Sequence, residues 1–292
     1  MNHNVRAVAV LGAGTMGRGI AHVSATGGFV THLFDVDSEV LHQAHSMIHQ
    51  NLDKGVELGK VDPGVAEQAR SNLHPNQDLD SAVGKADLIV EAVPEVMELK
   101  IRIFQRAARS APPQALFASN TSGLSITEMA TASGRPQQFA GMHFFNPVHL
   151  MRLIELVRGL ETSDATLDTL RSVAEQMGKQ VVTVAESPGF VTSRINALIG
   201  NEAFNMLESG VASAKDIDTA LKLGLNHPMG PFEMVDLVGL DVRLSILSHL
   251  HDTLGDLYRP NNLLAQYVKA GRLGKKVGRG VYEYDENGKI VG

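Results

Sequence analysis

Short apolar runs alternate with longer amphipathic stretches over residues 1–185 of the chain. The stretches at 95–109 and 165–177 carry apolar residues at the three- and four-residue spacing of a helix. This alternation predicts an α/β domain, in which helices connect and flank a mostly parallel sheet. The predicted strands are residues 5–11, 30–34, 88–93, 116–118, 139–144, 153–157 and 181–184.

The pattern changes at Ser187, Pro188 and Gly189. Proline removes a backbone donor and glycine frees the backbone, and strand-like runs nearly vanish beyond this point. We therefore predict a boundary between a first domain of residues 1–187 and an all-α second domain of residues 188–292. The helices predicted in the second domain are residues 191–208, 214–223, 231–254 and 263–270.

Composition narrows the classes of function. The chain has 292 residues with 43% hydrophobic and 20% charged side chains, as expected of a globular protein with a sizeable core. Its net charge of −6 argues against a nucleic-acid partner, because phosphate binding needs clustered cations. The absence of cysteine excludes disulfides, thiolate metal sites and a cysteine nucleophile. Without a bilayer-length apolar stretch or a signal-peptide pattern, we expect a cytoplasmic protein with no membrane partner.

A glycine-rich turn follows the first predicted strand. Gly12, Gly14 and Gly17 form GxGxxG at the head of a helical stretch, where free N–H groups can bind a pyrophosphate. Asp35 ends the second apolar run, where a carboxylate can accept hydrogen bonds from an adenosine ribose. This pattern predicts dinucleotide binding, and NAD rather than NADP, because no neighbouring arginine offsets the carboxylate. The alternative is that the glycines only make a turn and Asp35 caps the next helix.

His143 and Glu155 form a candidate catalytic pair. His143 ends one predicted strand and Glu155 lies within the next, so the two side chains can meet. A dehydrogenase must remove a hydroxyl proton as hydride leaves, and the ordinary pKa of histidine suits this task near neutral pH. A carboxylate on the other ring nitrogen would fix the tautomer and stabilise the imidazolium. The alternative is a satisfied core histidine beside a glutamate that faces water.

Six motifs along the chain form one combination. They are GAGTMG at 12–17, ASNTSGLSI at 118–126, GMHFFNPV at 141–148, LIELVRG at 153–159, SPGFV at 187–191 and LNHPMGP at 225–231. Together they resemble the 3-hydroxyacyl-CoA dehydrogenase family, particularly its short bacterial 3-hydroxybutyryl-CoA dehydrogenases, and the similarity extends from the first strand to GKKVGRGVYEY at 274–284. The resemblance implies a Rossmann-like NAD-binding domain, a helical C-terminal domain for substrate binding and dimerisation, and an acyl-CoA substrate.

The resemblance also implies roles for individual residues. His143 matches the catalytic base, Glu155 its orienting partner, and Ser122 the serine that binds the substrate oxygen. Ser119 lies in the motif ASNTSGLSI, one of those that line the nicotinamide and substrate in the family. The residues implied to bind the cofactor are Gly12, Gly14, Thr15, Met16, Gly17, Asp35, Glu95, Lys100, Asn120, Asn146 and Lys276. The alternative for Glu95, Lys100 and Lys276 is a set of solvated surface charges.

Two places depart from the family pattern. Ser193 stands where the family commonly has an asparagine near the substrate, which implies a shifted contact or a bridging water. Lys54 lies where the family has a lysine-richer segment that contacts CoA, and it is either a CoA contact or part of a solvated helix face.

Two other functions compete with that of an NAD-dependent 3-hydroxyacyl-CoA dehydrogenase in which a His–Glu pair acts as general base and acid. One is a dehydrogenase of free hydroxy or sugar acids, which would need a cationic clamp for the substrate carboxylate. The other is a catalytically silent NAD-binding sensor, which could lose the His143 and Glu155 pair. His42, His45 and His49 share a helical face, but we expect no metal because no third type of ligand is evident.

Overall fold

A computed structural model of the chain describes residues 4–291. The chain divides into two compact units, the first ending at Ser187 and the second beginning at Pro188. The first unit has a sheet of eight strands in the order β3-β2-β1-β4-β5-β6-β7-β8. All neighbouring strands are parallel except β6 and β7, which are antiparallel. The strands are β1 (Ala7–Leu11), β2 (Val30–Phe34), β3 (Leu73–Asn76), β4 (Leu88–Glu91), β5 (Leu116–Ser119), β6 (Phe139–Phe144), β7 (Leu153–Arg158) and β8 (Gln180–Ala185).

Seven of these strands coincide with predicted apolar runs, and β3 is the exception. Its sequence, LHPN, contains Pro75, which cannot donate to a sheet. The strand lies at the edge of the sheet, beside β2, where one side needs no partner. An edge strand of four residues leaves no hydrophobic pattern, so sequence analysis misses it.

Helices cover the sheet and bury its apolar strands. β1 is almost completely buried, as expected for a strand packed on both faces. The core of this unit combines these strands with the apolar faces of the helices, including Ile20 and Leu170. The helices are α1 (Thr15–Thr26), α2 (Ser38–Glu57), α3 (Pro63–Asn72), α4 (Leu79–Val83), α5 (Met97–Ser110), α6 (Ile126–Ala132) and α7 (Asp164–Gln176).

The second unit is helical around its own core, in which Phe204 and Phe232 pack edge to face with ring centroids 5.2 Å apart. The predicted helix of residues 231–254 is wrong in one respect, because it is two helices separated by Gly239. Gly239 has a φ of 109°, which ends the first helix. A small antiparallel ribbon completes the described part of this unit. Its elements are α8 (Thr192–Glu208), α9 (Ala214–Gly224), α10 (Pro231–Val238), α11 (Leu240–Leu254), α12 (Asn262–Lys269), β9 (Glu283–Tyr284) and β10 (Ile290–Val291).

Candidate active site

The glycine turn lies between β1 and α1 and is shaped by close backbone contacts. A Cβ on Gly12 would lie 2.8 Å from the Ala92 carbonyl oxygen, and a Cβ on Gly17 would lie 1.7 Å from the Gly12 oxygen. A Cβ on Gly14 would meet no protein atom within 4 Å. Gly12 and Gly17 are therefore required by the fold, whereas the space beside Gly14 is open to a ligand.

The first turn of α1 differs from those of α2, α3 and α4. Its N-cap, Gly14, offers no side-chain hydrogen bond, and the turn contains no acidic residue. By contrast, Asp37, Asp62 and Asp78 cap α2, α3 and α4. The N–H groups of Thr15 and Met16 are thus left without a side-chain cap at the positive end of the helix dipole, and this arrangement fits a dinucleotide pyrophosphate.

Asp35 supports the same site from the end of β2. One carboxylate oxygen accepts a hydrogen bond from the Ala13 N–H at 2.8 Å, and the other from the Asp37 N–H at 3.1 Å. The alternative role for Asp35 as a helix cap is wrong, because Asp37 caps α2. Asp35 therefore connects the glycine turn to the end of β2, where an adenosine ribose binds in a Rossmann-like fold.

His143 and Glu155 lie directly opposite each other on the antiparallel strands β6 and β7. Side chains at opposed positions point to the same face of a sheet, so this register brings the two groups together. His143 Nδ1 lies 2.7 Å from Glu155 Oε2. Glu155 is fully buried and His143 is 5% exposed, so the carboxylate is shielded from water behind the imidazole.

Ser122 faces the other nitrogen of the same ring. Its Oγ lies 3.1 Å from His143 Nε2. Because an ionised Glu155 can only accept hydrogen bonds, it favours the tautomer with hydrogen on Nδ1 and leaves Nε2 as the basic nitrogen. The arrangement can therefore take a proton at Nε2 and hold a substrate oxygen within hydrogen-bond reach of both Nε2 and Ser122 Oγ.

The loops after β4, β5 and β6 carry three more of the predicted groups of this unit, Glu95, Asn120 and Asn146. Glu95 accepts a hydrogen bond from the Ser122 N–H at 3.0 Å and another from the Thr121 hydroxyl. Asn120 accepts a hydrogen bond from the Phe144 N–H at 2.9 Å, which ties the loop after β5 to β6. Asn146 is exposed two residues beyond β6. Because β1, β4, β5 and β6 run parallel, all these groups lie at the same edge of the sheet as the glycine turn.

The ammonium group of Lys100 is enclosed, whereas the resemblance implies that it contacts the cofactor ribose. Lys100 Nζ lies 2.7 Å from Glu91 Oε1 and 3.1 Å from Glu95 Oε2. Burial raises the pKa of the Glu91 carboxyl, and the charge of Lys100 opposes that rise. Sequence analysis misses Glu91, although an acidic residue that ends a fully apolar strand, in LIVE, is a signal that could have identified it.

Three further predicted residues lie outside the loops described above. Lys54 is exposed in the last turn of α2. Ser193 lies in the first turn of α8. Lys276 forms a salt bridge with Asp241 within the second unit, with an N–O distance of 2.6 Å.

The described residues contain neither a metal-binding group of side chains nor a membrane-spanning helix. In residues 4–291, no three His, Asp or Glu side chains are grouped so that they could hold a metal. Within the same part of the chain, no helix is both long enough and apolar enough to cross a membrane.

The fold and the site together define a dinucleotide-dependent dehydrogenase. The family model for the 3-hydroxyacyl-CoA dehydrogenase NAD-binding domain matches residues 7–187, and the model for the C-terminal domain of the same family matches residues 189–284. The chain therefore belongs to the 3-hydroxyacyl-CoA dehydrogenase family, and it is an NAD-dependent oxidoreductase. The family, fold class and cofactor predicted from the sequence are confirmed.

Individual relatives resemble the chain over nearly its whole length. A probable 3-hydroxybutyryl-CoA dehydrogenase of Bacillus subtilis is 44% identical, with 97% of this chain and 98% of the relative covered. A mitochondrial hydroxyacyl-coenzyme A dehydrogenase of Sus scrofa is 39% identical, with 96% and 91% covered. The crystal structure of (S)-3-hydroxybutyryl-CoA dehydrogenase from Ralstonia eutropha superposes with a TM-score of 0.93 at 38% identity, and covers 97% of this chain and 100% of that one.

Proposed function

We propose that the protein interconverts (3S)-3-hydroxyacyl-CoA and 3-oxoacyl-CoA with NAD, and that its substrates are short-chain thioesters such as 3-hydroxybutyryl-CoA and acetoacetyl-CoA. The observation that carries the proposal is the order Glu155, His143, Ser122 at the edge of the sheet that also holds the glycine turn. The short acyl chain is supported by the names of the relatives from Bacillus subtilis and Ralstonia eutropha, and the (S) configuration by the name of the Ralstonia enzyme.

The chemistry follows from the positions of the three side chains. In oxidation, His143 Nε2 takes the proton of the substrate 3-hydroxyl, and Ser122 Oγ holds the same oxygen. Glu155 stabilises the resulting imidazolium through Nδ1 and keeps the ring in place. Bound NAD supplies the hydride acceptor. In reduction, the protonated His143 acts as the acid.

The cofactor would lie along the loops of the first unit. The uncapped start of α1 fits the pyrophosphate, and Asp35 fits the ribose hydroxyls. The carboxylate of Asp35 also disfavours a 2′-phosphate at this position, since two anions would repel each other. Contacts of Glu95, Lys100, Asn120, Asn146 and Lys276 with NAD, and of Ser193 and Lys54 with the acyl-CoA, belong to the same proposal.

One assay separates this function from its competitors. Purified protein is mixed with NADH and either acetoacetyl-CoA or free acetoacetate, and loss of the near-ultraviolet absorbance of NADH is followed. The proposal expects turnover of the thioester with NADH, much slower turnover with NADPH, and none of the free acid. Equal rates with free acetoacetate would identify a hydroxy-acid dehydrogenase, and NADH binding without turnover would identify a sensor.

We also propose a homodimer formed through the second unit, in a cytoplasmic protein. The support for the dimer is the resemblance to the family, whose helical C-terminal domain forms a dimer, together with large apolar side chains exposed on that unit, including Leu223, Leu225 and Leu257, which a partner chain would cover. Light scattering coupled to size-exclusion chromatography tests the dimer, and a mass of one chain, 31.4 kDa, would contradict it.

A further inference from the structure

Two buried charged residues, Glu91 and Lys100, and the buried Ser119 lie next to the loop that carries Ser122. We call these three residues the anchor cluster. Glu91 ends β4, Ser119 ends the neighbouring strand β5, and Lys100 lies in α5. Glu91 and Ser119 are 0% exposed and Lys100 is 1% exposed, so all three side chains are buried.

Both oxygens of the Glu91 carboxylate are hydrogen-bonded. Oε1 accepts from Lys100 Nζ and from the Val93 N–H, each at 2.7 Å. Oε2 accepts from Ser119 Oγ at 2.5 Å. The carboxylate therefore links the start of the loop after β4 to the end of β5 and to α5.

The stability of the fold does not explain this cluster well. Burying two charges costs several kcal/mol per ion in desolvation, and well-packed apolar residues of the same volume are often as stable or more stable. What a fully hydrogen-bonded buried pair provides is a single geometry for the segments that it joins. The segments joined here are the two loops that carry Glu95 and Ser122.

The contacts continue from the anchor cluster to the imidazole. Lys100 Nζ also lies 3.1 Å from Glu95 Oε2, and the other oxygen of Glu95 accepts the Ser122 N–H at 3.0 Å. On the second branch, Ser119 Oγ accepts the Thr121 N–H at 3.3 Å. Ser122 Oγ then lies 3.1 Å from His143 Nε2.

We infer that Glu91 is a positioning residue for the proposed hydride-transfer reaction: through Lys100 and Ser119 it holds Glu95 and the Ser122 loop in register with His143. This inference rests on the proposed function.

Removal of the Glu91 charge has a defined consequence. In Glu91→Gln the volume is preserved, but Glu95 becomes the carboxylate left beside the Lys100 ammonium. The stronger attraction draws Glu95 toward Lys100 and away from the Ser122 N–H, so the serine loop loses the hydrogen bond at Ser122 itself, while the contacts of Asn120 with Phe144 and of Thr121 with Ser119 remain. A displacement of about 1 Å at a reacting group costs on the order of 100-fold in rate.

The test compares Glu91→Gln with wild type in the reduction of acetoacetyl-CoA by NADH, together with the Kd for NADH from fluorescence titration. We expect kcat to fall about 10- to 100-fold, with the NADH Kd and the KM for acetoacetyl-CoA changed less than about threefold. The matched control is Glu98→Gln, the same substitution at an exposed position of α5, which leaves all three parameters at their wild-type values.

Coupling between the charges gives a second readout. In Lys100→Met/Glu91→Gln no ammonium remains to draw Glu95 away, so its kcat should exceed that of Glu91→Gln alone. Should Glu91→Gln not fold, Ser119→Ala tests the second branch, with the same expected loss in kcat at unchanged NADH Kd. A folded Glu91→Gln protein with wild-type kcat would overturn the inference, as would a loss confined to NADH binding. Absence of turnover by the wild type would instead refute the proposed function.

Discussion

Replacement of Gly14 by alanine should weaken cofactor binding at the glycine turn without disturbing the fold of the turn. Gly14 has φ −63° and ψ −169°, a conformation that any L-residue adopts, and its Cβ would meet no protein atom within 4 Å. Alanine at an N-cap is less favourable than glycine by about 0.5 kcal/mol or more. Lower chain entropy in the unfolded state returns about 0.4–1 kcal/mol. The two effects nearly cancel, so we expect a Tm within about 2 °C of wild type.

Cofactor binding should respond quite differently. The added methyl group projects into the space where the pyrophosphate would approach the start of α1, and glycine at the second position of this motif permits that approach. We expect the Kd for NADH in Gly14→Ala to rise at least about tenfold, measured by fluorescence titration.

Gly17→Ala is the contrasting variant, because its Cβ would lie 1.7 Å from the Gly12 oxygen and it should lower the Tm as well. A folded Gly14→Ala protein that binds NADH as tightly as wild type would refute the placement of the dinucleotide at this turn.

Two further predictions concern stability. Arg243 is 2% exposed, its Nε lacks a hydrogen-bond partner, and burial lowers the pKa of its guanidinium to about 10, so it is charged at neutral pH. Arg243→Met should therefore stabilise the protein by about 1–3 kcal/mol in urea unfolding, and destabilisation would mean that the cation is well compensated. Burial, with smaller contributions from the charges of His149 and Lys179, lowers the pKa of His22 to about 4. The folded state therefore prefers neutral His22. Its contribution to stability is complete above pH 6.5 and is lost as the pH falls toward 4. The loss in unfolding free energy is about 3 kcal/mol. Between pH 7.5 and pH 4, the unfolding free energy of His22→Gln should therefore fall by about 3 kcal/mol less than that of wild type. Equal pH dependence in both proteins would contradict this prediction.

The sequence predicts those parts of the fold that have a strong local pattern of apolar residues. Buried strands appear in the sequence as apolar runs, and the largely exposed edge strand β8 is apolar as well, so β1, β2 and β4 to β8 are predicted with small errors at their ends. Gly239 interrupts no hydrophobic pattern, and its positive φ is a tertiary feature, so the break between α10 and α11 is not visible in the sequence.

The candidate site divides in the same way. Motif spacing predicts the glycine turn, and the antiparallel register that places His143 opposite Glu155 needs only that two predicted strands be neighbours. Glu91 is missed because its role depends on three segments that meet only in the folded sheet. Lys100 is found, but its burial between two carboxylates cannot be read from its position in the chain.

The most direct measurement of the central claim is the kcat of His143→Gln for reduction of acetoacetyl-CoA by NADH, with the NADH Kd determined on the same sample. Glutamine retains polarity at this position but cannot carry the proton. We expect kcat to fall about 10²- to 10⁴-fold while the NADH Kd stays within about threefold of wild type. A folded His143→Gln protein with wild-type kcat would show that another group moves the proton.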